Sequence, residues 1–450
     1  MRIVLCCALA LSLACGDDSA DPDAGVDAAT PDASIDGGPR DTGDDAPDDD
    51  AGDDAGRDDA GCTGERDEVL CTAVAAECGS ITATDRCGMA RTPNCGSCTA
   101  PEACGVDEAN QCANADWIVT TIDDGGDRID LAIDESDGLH VAFRKDRELW
   151  YGALADGAWT TERIDDPVLG GDVAIAIDGS GFVHVAATAG STTPSRAIDL
   201  WTLTDAWAQT LIPGLSVTSI DLVFDGDAAQ LCGFHPRMGG FGGLLTHFAE
   251  GVAGFSSATI DGSLASSESR EGNYCSLGFD GTNLHVGYHG GQFQRLEYAA
   301  ESAGAWTVET VDAPAGDFAG EYVSLALDGS GNAVISYRAL TIGDPEIRLA
   351  RQNGAGWDIA TVDDGAGVIA NHTSLAIDSA DLAHISYFDS DAPGTMRYAR
   401  ETASGFELSD VAVVGTGSGG FNAIGIDSTG AVHIVFFDSS RNELKHATAR

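Results

Sequence analysis

The chain has few positively charged residues and almost no lysine. Lys and Arg together number 23 against 73 Asp and Glu, a formal net charge of −50 over 450 residues. A surface this negative repels phosphate backbones and anionic lipid head groups, so we do not expect nucleic-acid binding. Lys145 and Lys445 are the only lysines, which leaves almost no candidate for chemistry that needs a buried lysine amine.

The common catalytic signatures are also missing. The sequence contains no GxSxG, HExxH or Walker A pattern. A GxGxxG match at 415–420 precedes the strand-like run Ala423-Ile-Gly-Ile-Asp427 rather than a helix, so no helix N-terminus is available there for a pyrophosphate. We therefore predict neither a cofactor nor a metal, and catalysis is not indicated by any motif.

The N-terminus has the layout of an export signal. Arg2 precedes an apolar run from Ile3 to Ala14, which is too short to cross a hydrocarbon core of ~30 Å. Its end, Leu11-Ser-Leu-Ala-Cys15, resembles a bacterial lipobox, in which signal peptidase II cuts before a cysteine that carries lipid. The resemblance implies a lipid-anchored N-terminus at Cys15, and Gly16 rather than Asp after it implies the outer membrane. The alternative is an ordinary secretory signal and a secreted protein.

Residues 16–61 are predicted to form a disordered acidic tether. They contain 17 Asp and two Arg among mostly Ala, Gly and Pro. Such a segment cannot bury enough surface to offset its chain entropy, and its like charges keep it extended. Calcium binding is not favoured, because the segment lacks the DxDxDG order and the bidentate Glu of an EF-hand loop.

Residues 62–115 form a cysteine-rich segment. Eight of the chain's 13 cysteines lie there, at Cys62, Cys71, Cys78, Cys87, Cys95, Cys98, Cys104 and Cys112. An even, dense set in an exported chain predicts a small module held together by disulfides, whose connectivity stays open. A zinc site at Cys95-Gly-Ser-Cys98 is the less favoured alternative, because no histidine lies nearby. The CG and CGSC runs resemble short modules of myxobacterial-type surface proteins, a resemblance that implies no activity.

From residue 116 the chain repeats one unit seven times. The copies open at Trp117, Trp159, Trp207, Phe255, Trp306, Trp357 and Phe406. Each contains four short apolar, strand-like pieces separated by Gly, Asp and Ser, which predicts an all-β, seven-bladed β-propeller with four-stranded blades. The repeats resemble the SLAID…HISY propeller repeats of bacterial surface proteins, which implies the same fold but no particular function.

The phase of the repeat predicts how the ring closes. One strand is left over at the start, at 117–122, and three at the end, at 421–448. The first strand should therefore complete the last blade, which removes an exposed sheet edge.

Two polar positions recur in the copies. An Asp ends the second strand of every copy and is predicted to close a turn by bonding its own backbone. A histidine holds one position of the third strand in five copies, at His140, His184, His285, His384 and His433, and is predicted to bond within its blade. Cys232 and Cys275 fall in adjacent copies. They could form a disulfide between blades or remain two buried thiols, and the sequence leaves both alternatives open.

A binding site is predicted at the rim of the central channel. The long loops 261–273, 312–321 and 363–372 lead into inner strands on one face of the ring, where binding residues concentrate on a rigid scaffold. The predicted rim residues are Arg128, Asp172, Asn273, Tyr274, Glu321, Tyr322, Asn371, His372 and Asn422. Such a mixture of aromatic and polar groups suits a sugar or a peptide.

The sequence thus predicts a lipid-anchored surface protein that binds a carbohydrate or a protein partner through the propeller face. A structural envelope protein without a specific ligand is one alternative. A polysaccharide hydrolase or lyase is the other, and it needs an acidic pair such as Asp172 and Glu321 to converge across the channel.

Overall fold

A computed structural model describes residues 63–98, 102–106, 109–165, 171–188, 196–236, 243–263, 271–290, 294–314, 318–341, 344–354, 356–365, 370–417 and 420–450. The predicted signal peptide, Cys15, the tether and Cys62 lie outside the described residues. Among the helices that the structure describes, none is long and apolar enough to cross a membrane.

The cysteine-rich module contains one short helix and two small hairpins. These are α1 (Asp67–Ala73), the pair β1 (Ala83–Thr84) and β2 (Ala90–Arg91), and the pair β3 (Glu102–Cys104) and β4 (Cys112–Asn114). Three disulfides join Cys71 to Cys95, Cys78 to Cys104 and Cys98 to Cys112, and Cys87 is also disulfide-bonded. The predicted disulfide framework is therefore confirmed. Both cysteines of the CxxC pair bond distant cysteines rather than serving as zinc thiolates.

The rest of the chain forms seven antiparallel four-stranded blades. Blade 7 includes the first strand of the repeat region, β5 (Trp117–Asp123). Blade 1 contains β6 (Asp127–Ile133), β7 (Leu139–Lys145), β8 (Glu148–Ala155) and β9 (Ala158–Asp165). Blade 2 contains β10 (Val173–Ile177), β11 (Val183–Thr188), β12 (Arg196–Leu203) and β13 (Trp207–Pro213). Blade 3 contains β14 (Ile220–Asp225), β15 (Ala228–Pro236), β16 (Gly243–Gly251) and β17 (Gly254–Gly262).

Blades 4 to 7 repeat this order. Blade 4 contains β18 (Glu271–Phe279), β19 (Leu284–Gly290), β20 (Arg295–Ser302) and β21 (Ala305–Asp312). Blade 5 contains β22 (Phe318–Leu327), β23 (Ala333–Thr341), β24 (Asp344–Gln352) and β25 (Trp357–Asp363). Blade 6 contains β26 (Ala370–Ile377), β27 (Ala383–Asp389), β28 (Thr395–Thr402) and β29 (Gly405–Val413). Blade 7 combines β30 (Asn422–Ile426), β31 (Val432–Asp438) and β32 (Glu443–Ala449) with β5. No helix occurs among the described residues of 116–450.

Ring closure follows the predicted phase. The first strand, β5, pairs antiparallel with the last, β32, from Trp117 opposite Ala449 to Asp123 opposite Leu444. The seven-bladed propeller and its closure are therefore confirmed. The N-terminal strand thereby covers the outer edge of β32 and takes the outermost position of blade 7.

The recurring Asp and His side chains hold each blade together. In blade 6, Oδ1 of Asp378 accepts hydrogen bonds from the backbone N–H groups of Ala380 and Leu382, as predicted for a turn. Nε2 of His384 donates to Oδ2 of the same aspartate at 3.2 Å, and Nδ1 accepts from the Tyr398 hydroxyl at 2.6 Å. All five repeated histidines bond their turn aspartate in this way. Blade 3 differs, since Asp225 pairs with Ala228 in a tight hairpin.

The repeated tryptophans pack between blades. Each begins the outermost strand of its blade, and three lie edge-on against a tyrosine of the preceding blade, with ring centroids 5.1 to 5.2 Å apart. These pairs are Trp207 with Tyr151, Trp357 with Tyr298, and Trp117 with Tyr398. The hydroxyls of the same three tyrosines donate to the repeated histidines within blades 1, 4 and 6. Each tyrosine is thus held by a hydrogen bond within its own blade and packs against a tryptophan of the next blade.

Candidate functional site

One position of the repeat faces the central channel in every blade. It lies six residues before the turn aspartate, where the inner strand begins. The seven residues at this position, which we call the channel ring, are Arg128, Asp172, Ser219, Tyr274, Tyr322, His372 and Phe421. All seven line a cavity of about 410 Å³, which is within the range of about 300–1,000 Å³ typical of small-molecule sites.

A local backbone distortion sets the direction of four channel-ring side chains. Arg128, Tyr274, Tyr322 and His372 have φ angles of 53°, 55°, 54° and 47°. In each case the pairing of the inner strand with its neighbour shifts register at this residue. A non-glycine residue in the left-handed region costs about 1 kcal/mol or more. The same distortion recurs at four channel-ring residues. We interpret each as a β-bulge that turns the side chain towards the cavity.

Four ring-bearing residues of the channel ring form a continuous row, which we call the aromatic arc. It runs from blade 4 to blade 7 through Tyr274, Tyr322, His372 and Phe421. Successive ring centroids are 4.8, 4.2 and 4.7 Å apart, with tilted planes. Burial, together with the nearby Arg128 charge, lowers the pKa of His372 to about 3, so this imidazole is neutral at physiological pH. The arc is therefore an uncharged aromatic wall.

Arg128 connects the aromatic arc to the opposite side of the cavity. Its guanidinium carbon lies 4.7 Å from the Phe421 ring centroid, a cation–π contact across the closed ring. Nη1 donates to Oδ1 of Asp172 at 3.1 Å. The side chains of this ion pair are 35% and 28% exposed, so they are in contact with solvent at the cavity.

Three carboxyl groups from blades 1, 2 and 3 form the other side of the cavity, and we call them the acidic arc. They belong to Asp130, Asp172 and Asp221. Burial, with a smaller contribution from the Asp221 charge, raises the pKa of Asp130 to about 7. Burial likewise raises the pKa of Asp221 to about 6, against the hydrogen bonds that it accepts. The Asp172 pKa is also raised by burial, although Arg128 opposes the shift.

Two members of the acidic arc also join blades. Oδ2 of Asp130 accepts from the Ile175 N–H at 2.8 Å, and Oδ2 of Asp221 accepts from the Leu277 N–H at 2.7 Å. Serines take the same position, four residues before the turn aspartate, in blades 4, 5 and 6. Their hydroxyls accept from the next blade's backbone at 3.0 to 3.1 Å, in Ser276, Ser324 and Ser374. The strand positions that line the channel therefore also carry hydrogen bonds between adjacent blades.

A disulfide between blades lies next to the channel ring. Cys232 in β15 and Cys275 in β18 are bonded, which links blades 3 and 4. Cys275 follows Tyr274 in the chain, so the disulfide anchors the inner strand that carries the first ring of the aromatic arc. Of the two readings left open by the sequence, the structure selects the disulfide.

Six of the nine predicted rim residues line the cavity: Arg128, Asp172, Tyr274, Tyr322, His372 and Asn422. Asn422 acts mainly as a support, since its Nδ2 donates to the carbonyl groups of His372 and Gly420 at 2.7 Å. Glu321 is not among the lining residues and instead forms an ion pair with Arg338. The side chains of Asn273 and Asn371 lie outside the described ones.

The acidic pair named for the hydrolase or lyase alternative does not line this cavity together. Asp172 faces the cavity and pairs with Arg128, whereas Glu321 lies one residue earlier in its inner strand than the channel-ring Tyr322. The hydrolase or lyase alternative, which needs an acidic pair such as Asp172 and Glu321 to converge across the channel, therefore gains no support from this pair.

The lining residues that the sequence does not predict include two channel-ring residues, Ser219 and Phe421, and two carboxyl-bearing residues, Asp130 and Asp221. The signal was present, because counting back six and four residues from each turn aspartate identifies all of them. The rim prediction instead selected polar residues next to long loops. The predicted residues therefore come from three successive positions of the inner strand, and only the middle position is the channel ring.

A second cavity, of about 630 Å³, lies where the cysteine-rich module meets the propeller. Its lining includes Glu77 and Glu102 from the module and Trp117, Phe436 and Arg441 from the propeller. Asn114 anchors this junction, because its Nδ2 donates to the carbonyl groups at 410 and 411. Of these two cavities in the described part of the chain, the central one is lined by all seven blades and carries a row of rings, so we take it as the candidate site.

No protein-family model and no curated protein matches this chain. Among solved structures, the chain resembles an ulvan lyase of a new polysaccharide lyase family, with 13% identity, a TM-score of 0.53, and coverage of 72% of this chain and 94% of the other. It also resembles a protein of unknown function from Dyadobacter fermentans, with 13% identity, a TM-score of 0.45, and coverage of 74% and 98%. A lectin of Aleuria aurantia has 12% identity, a TM-score of 0.43, and coverage of 66% and 98%.

Proposed function

We propose that this protein is a carbohydrate-binding surface protein and that the central cavity is its binding site. The observation that carries the proposal is the aromatic arc, a row of rings from four successive blades along one cavity wall. Aromatic faces stack on the C–H faces of sugar rings, while a few fixed polar groups orient the hydroxyls. The likeness to the ulvan lyase is one of fold, so the case for a saccharide comes from the cavity itself.

The binding groups are held in place before any ligand arrives. The Cys232–Cys275 disulfide anchors the strand that carries Tyr274, and Asn422 fixes the backbone at His372. Arg128 is held between Phe421 and Asp172. Because these side chains lose little further freedom on binding, more of the contact energy contributes to affinity.

The test is a glycan array probed with the full chain, followed by calorimetry on any saccharide that binds. The variant Tyr274→Asn/Tyr322→Asn removes two rings of the arc, and Asn tolerates the left-handed φ at both positions. We expect it to lose binding by at least about tenfold. The control Phe182→Asn removes a ring that is 43% exposed in a turn outside the cavity, and it should bind normally. Saccharide binding that survives the double substitution would refute the cavity as the site.

A polysaccharide hydrolase or lyase remains the second candidate, and the acidic arc with its raised carboxyl pKa values favours it. Against turnover, Asp130 and Asp221 already accept backbone hydrogen bonds that join blades, and Asp172 is paired with Arg128. Incubation of the full chain with each array-positive glycan, followed by measurement of new reducing ends and unsaturated uronates, distinguishes the two. Binding without product supports a lectin-like role. The absence of both favours the structural envelope alternative.

We also propose that the mature protein is anchored to the outer membrane by lipid on Cys15. The support is the lipobox-like sequence that ends at this cysteine and the acidic stretch after it, which suits a spacer between membrane and propeller. Cys15→Ala should abolish metabolic labelling with a fatty acid and release the protein from the membrane fraction. Cys6→Ala is the matched control. Labelling that persists in Cys15→Ala would contradict the proposal.

A further inference from the structure

The cavity carries more negative than positive charge on the side opposite the aromatic arc. Asp130, Asp172 and Asp221 line it, and Arg128 is the one positively charged residue among the lining side chains that the structure describes. Arg128 is already engaged by Asp172 at 3.1 Å. Within the described part of the chain, Asp130 and Asp221 therefore have no cationic side chain as a partner.

These two carboxyl groups keep part of their hydrogen-bonding capacity. Asp130 accepts from the backbone N–H groups of Leu131 and Ile175. Asp221 accepts from the backbone N–H groups of Leu222 and Leu277 and from the Ser276 hydroxyl. A carboxylate offers about four acceptor sites, so each retains at least one. All of the present donors are neutral, so no positive charge offsets that of either carboxylate.

The aromatic arc already accommodates a cation within this structure. The Arg128 guanidinium lies over the Phe421 ring, and a positive group within about 6 Å of a ring centroid is stabilised by the ring quadrupole. Tyr274 and Tyr322 continue the same wall next to the acidic arc, where Ser219, the small channel-ring residue of blade 3, separates Asp172 from Tyr274. A positive group on a ligand would therefore find aromatic faces on one side and unpaired carboxylates on the other.

We propose that the saccharide bound in the central cavity carries a protonated amine, as in an amino sugar whose nitrogen is not acetylated. The inference rests on the proposed carbohydrate-binding function and names its ligand class. The ammonium group pairs with Asp130 and Asp221 and donates to their free acceptor sites, while the C–H face of the sugar ring packs on Tyr274 and Tyr322. A ligand bearing a carboxylate or sulfate faces repulsion from the same side of the cavity.

The test compares two ligands that differ mainly in charge, the β-1,4-linked disaccharide of glucosamine and its N,N′-diacetylated form. Calorimetry uses the full chain near neutral pH and moderate salt. We expect the free amine to bind at least about tenfold more tightly, since charge-assisted hydrogen bonds are about twice as strong as neutral ones. Equal or tighter binding of the acetylated disaccharide would overturn the inference and leave saccharide binding intact. Failure of every saccharide to bind would overturn the proposed function as well.

Because the chain has a net charge of −50, non-specific attraction of an amine needs its own control. The Tyr274→Asn/Tyr322→Asn variant leaves all acidic groups in place, so amine binding that persists there comes from the general surface charge and refutes the site. Asp221→Asn should bring the affinity ratio of the two disaccharides close to one. If that variant fails to fold, Asp172→Asn is the second choice, because it leaves Arg128 unpaired in the cavity. Asp156→Asn makes the same charge change in an exposed outer turn and should keep the ratio.

Discussion

Because of the acidic arc, we expect the free energy of unfolding of the propeller to fall as pH rises through the weakly acidic range. Because the pKa of Asp130 is about 7 in the folded protein and 3.8 in the unfolded chain, the folded state binds more protons than the unfolded state between these values. The free energy of unfolding therefore falls as pH rises from about 4 to about 7. Asp221, whose folded pKa is about 6, acts in the same direction over a narrower window.

The magnitude follows from the difference in pKa. At about 1.4 kcal/mol per pH unit, raising the Asp130 pKa from 3.8 to about 7 corresponds to about 4 kcal/mol. Solvent in the channel screens part of this interaction, so we expect a loss of about 2 to 4 kcal/mol between pH 4 and pH 8. The turn aspartates act at lower pH. Hydrogen bonds lower the Asp280 pKa to about 2, so its stabilisation is lost only as pH falls below about 4.

The perturbation that isolates this effect is Asp130→Asn. The amide oxygen can still accept from the Ile175 N–H, while the loss of the second acceptor, which serves Leu131, costs about 1 kcal/mol at every pH. The variant cannot ionise, so its stability relative to the parent protein should rise by about 2 to 4 kcal/mol from pH 4 to pH 8.

The assay is urea unfolding followed by tryptophan fluorescence at several pH values, with the midpoint and slope fitted at each. Asp156→Asn, in an exposed turn, is the control and should run parallel to the parent protein at all pH values. A difference between Asp130→Asn and the parent protein that stays constant with pH would refute the reasoning, because it would mean that Asp130 ionises normally in the folded state.

Three further predictions concern the joints of the propeller. Replacing both Cys232 and Cys275 by Ser opens a loop of 43 residues and should lower the free energy of unfolding by about 4 kcal/mol, measured in urea. Ser374→Ala removes the acceptor for a backbone N–H of blade 7 and should cost about 1 to 2 kcal/mol, measured as a lower melting temperature. His384→Leu, which copies Leu231 of blade 3, should destabilise by about 1 to 3 kcal/mol by leaving a tyrosine hydroxyl and an aspartate without their shared partner, with ligand affinity unchanged.

Each of these has a clear contrary result. The disulfide variant unfolding at the same urea concentration as the oxidised protein would show that the loop is already restrained in the unfolded chain. Ser330→Ala, at an exposed turn, should stay within about 0.5 kcal/mol of the parent protein, and an equal effect at Ser374 would contradict the junction role. A loss of ligand binding in His384→Leu would mean that this histidine reaches the site.

Much of the fold could be predicted because the same strand pattern recurs in seven copies of the repeat. Seven tryptophan or phenylalanine starts, seven turn aspartates and a leftover first strand predict seven blades and their closure, since no helical period competes with the strand pattern. The recurrence of a histidine in five copies likewise predicts a structural role, because a catalytic group is rarely repeated around a ring. The bonds of His384 to Asp378 and Tyr398 match that prediction.

The candidate site could be predicted only in part. Tyr274, Tyr322 and His372 were selected because they stand next to long loops, and they do line the cavity. The sequence does not distinguish Asp130 and Asp221, because a carboxyl within an apolar strand resembles an ordinary turn or surface residue. Their significance depends on their lining one cavity, where the charge of Asp221 raises the pKa of Asp130, although 91 positions separate them in the chain.

The amino-acid sequence by itself determined the number of blades, the strand order within each and the strand that closes the ring, because these depend on local patterns of period two and on tandem repetition. The tertiary structure decided which side chains meet. Bulges with a positive φ turn Arg128, Tyr274, Tyr322 and His372 into the channel, and a change of strand phase of this kind depends on packing against neighbouring strands. Closure brings Arg128 of the first blade onto Phe421 of the last, a contact that exists only because the two ends of the repeat share one sheet.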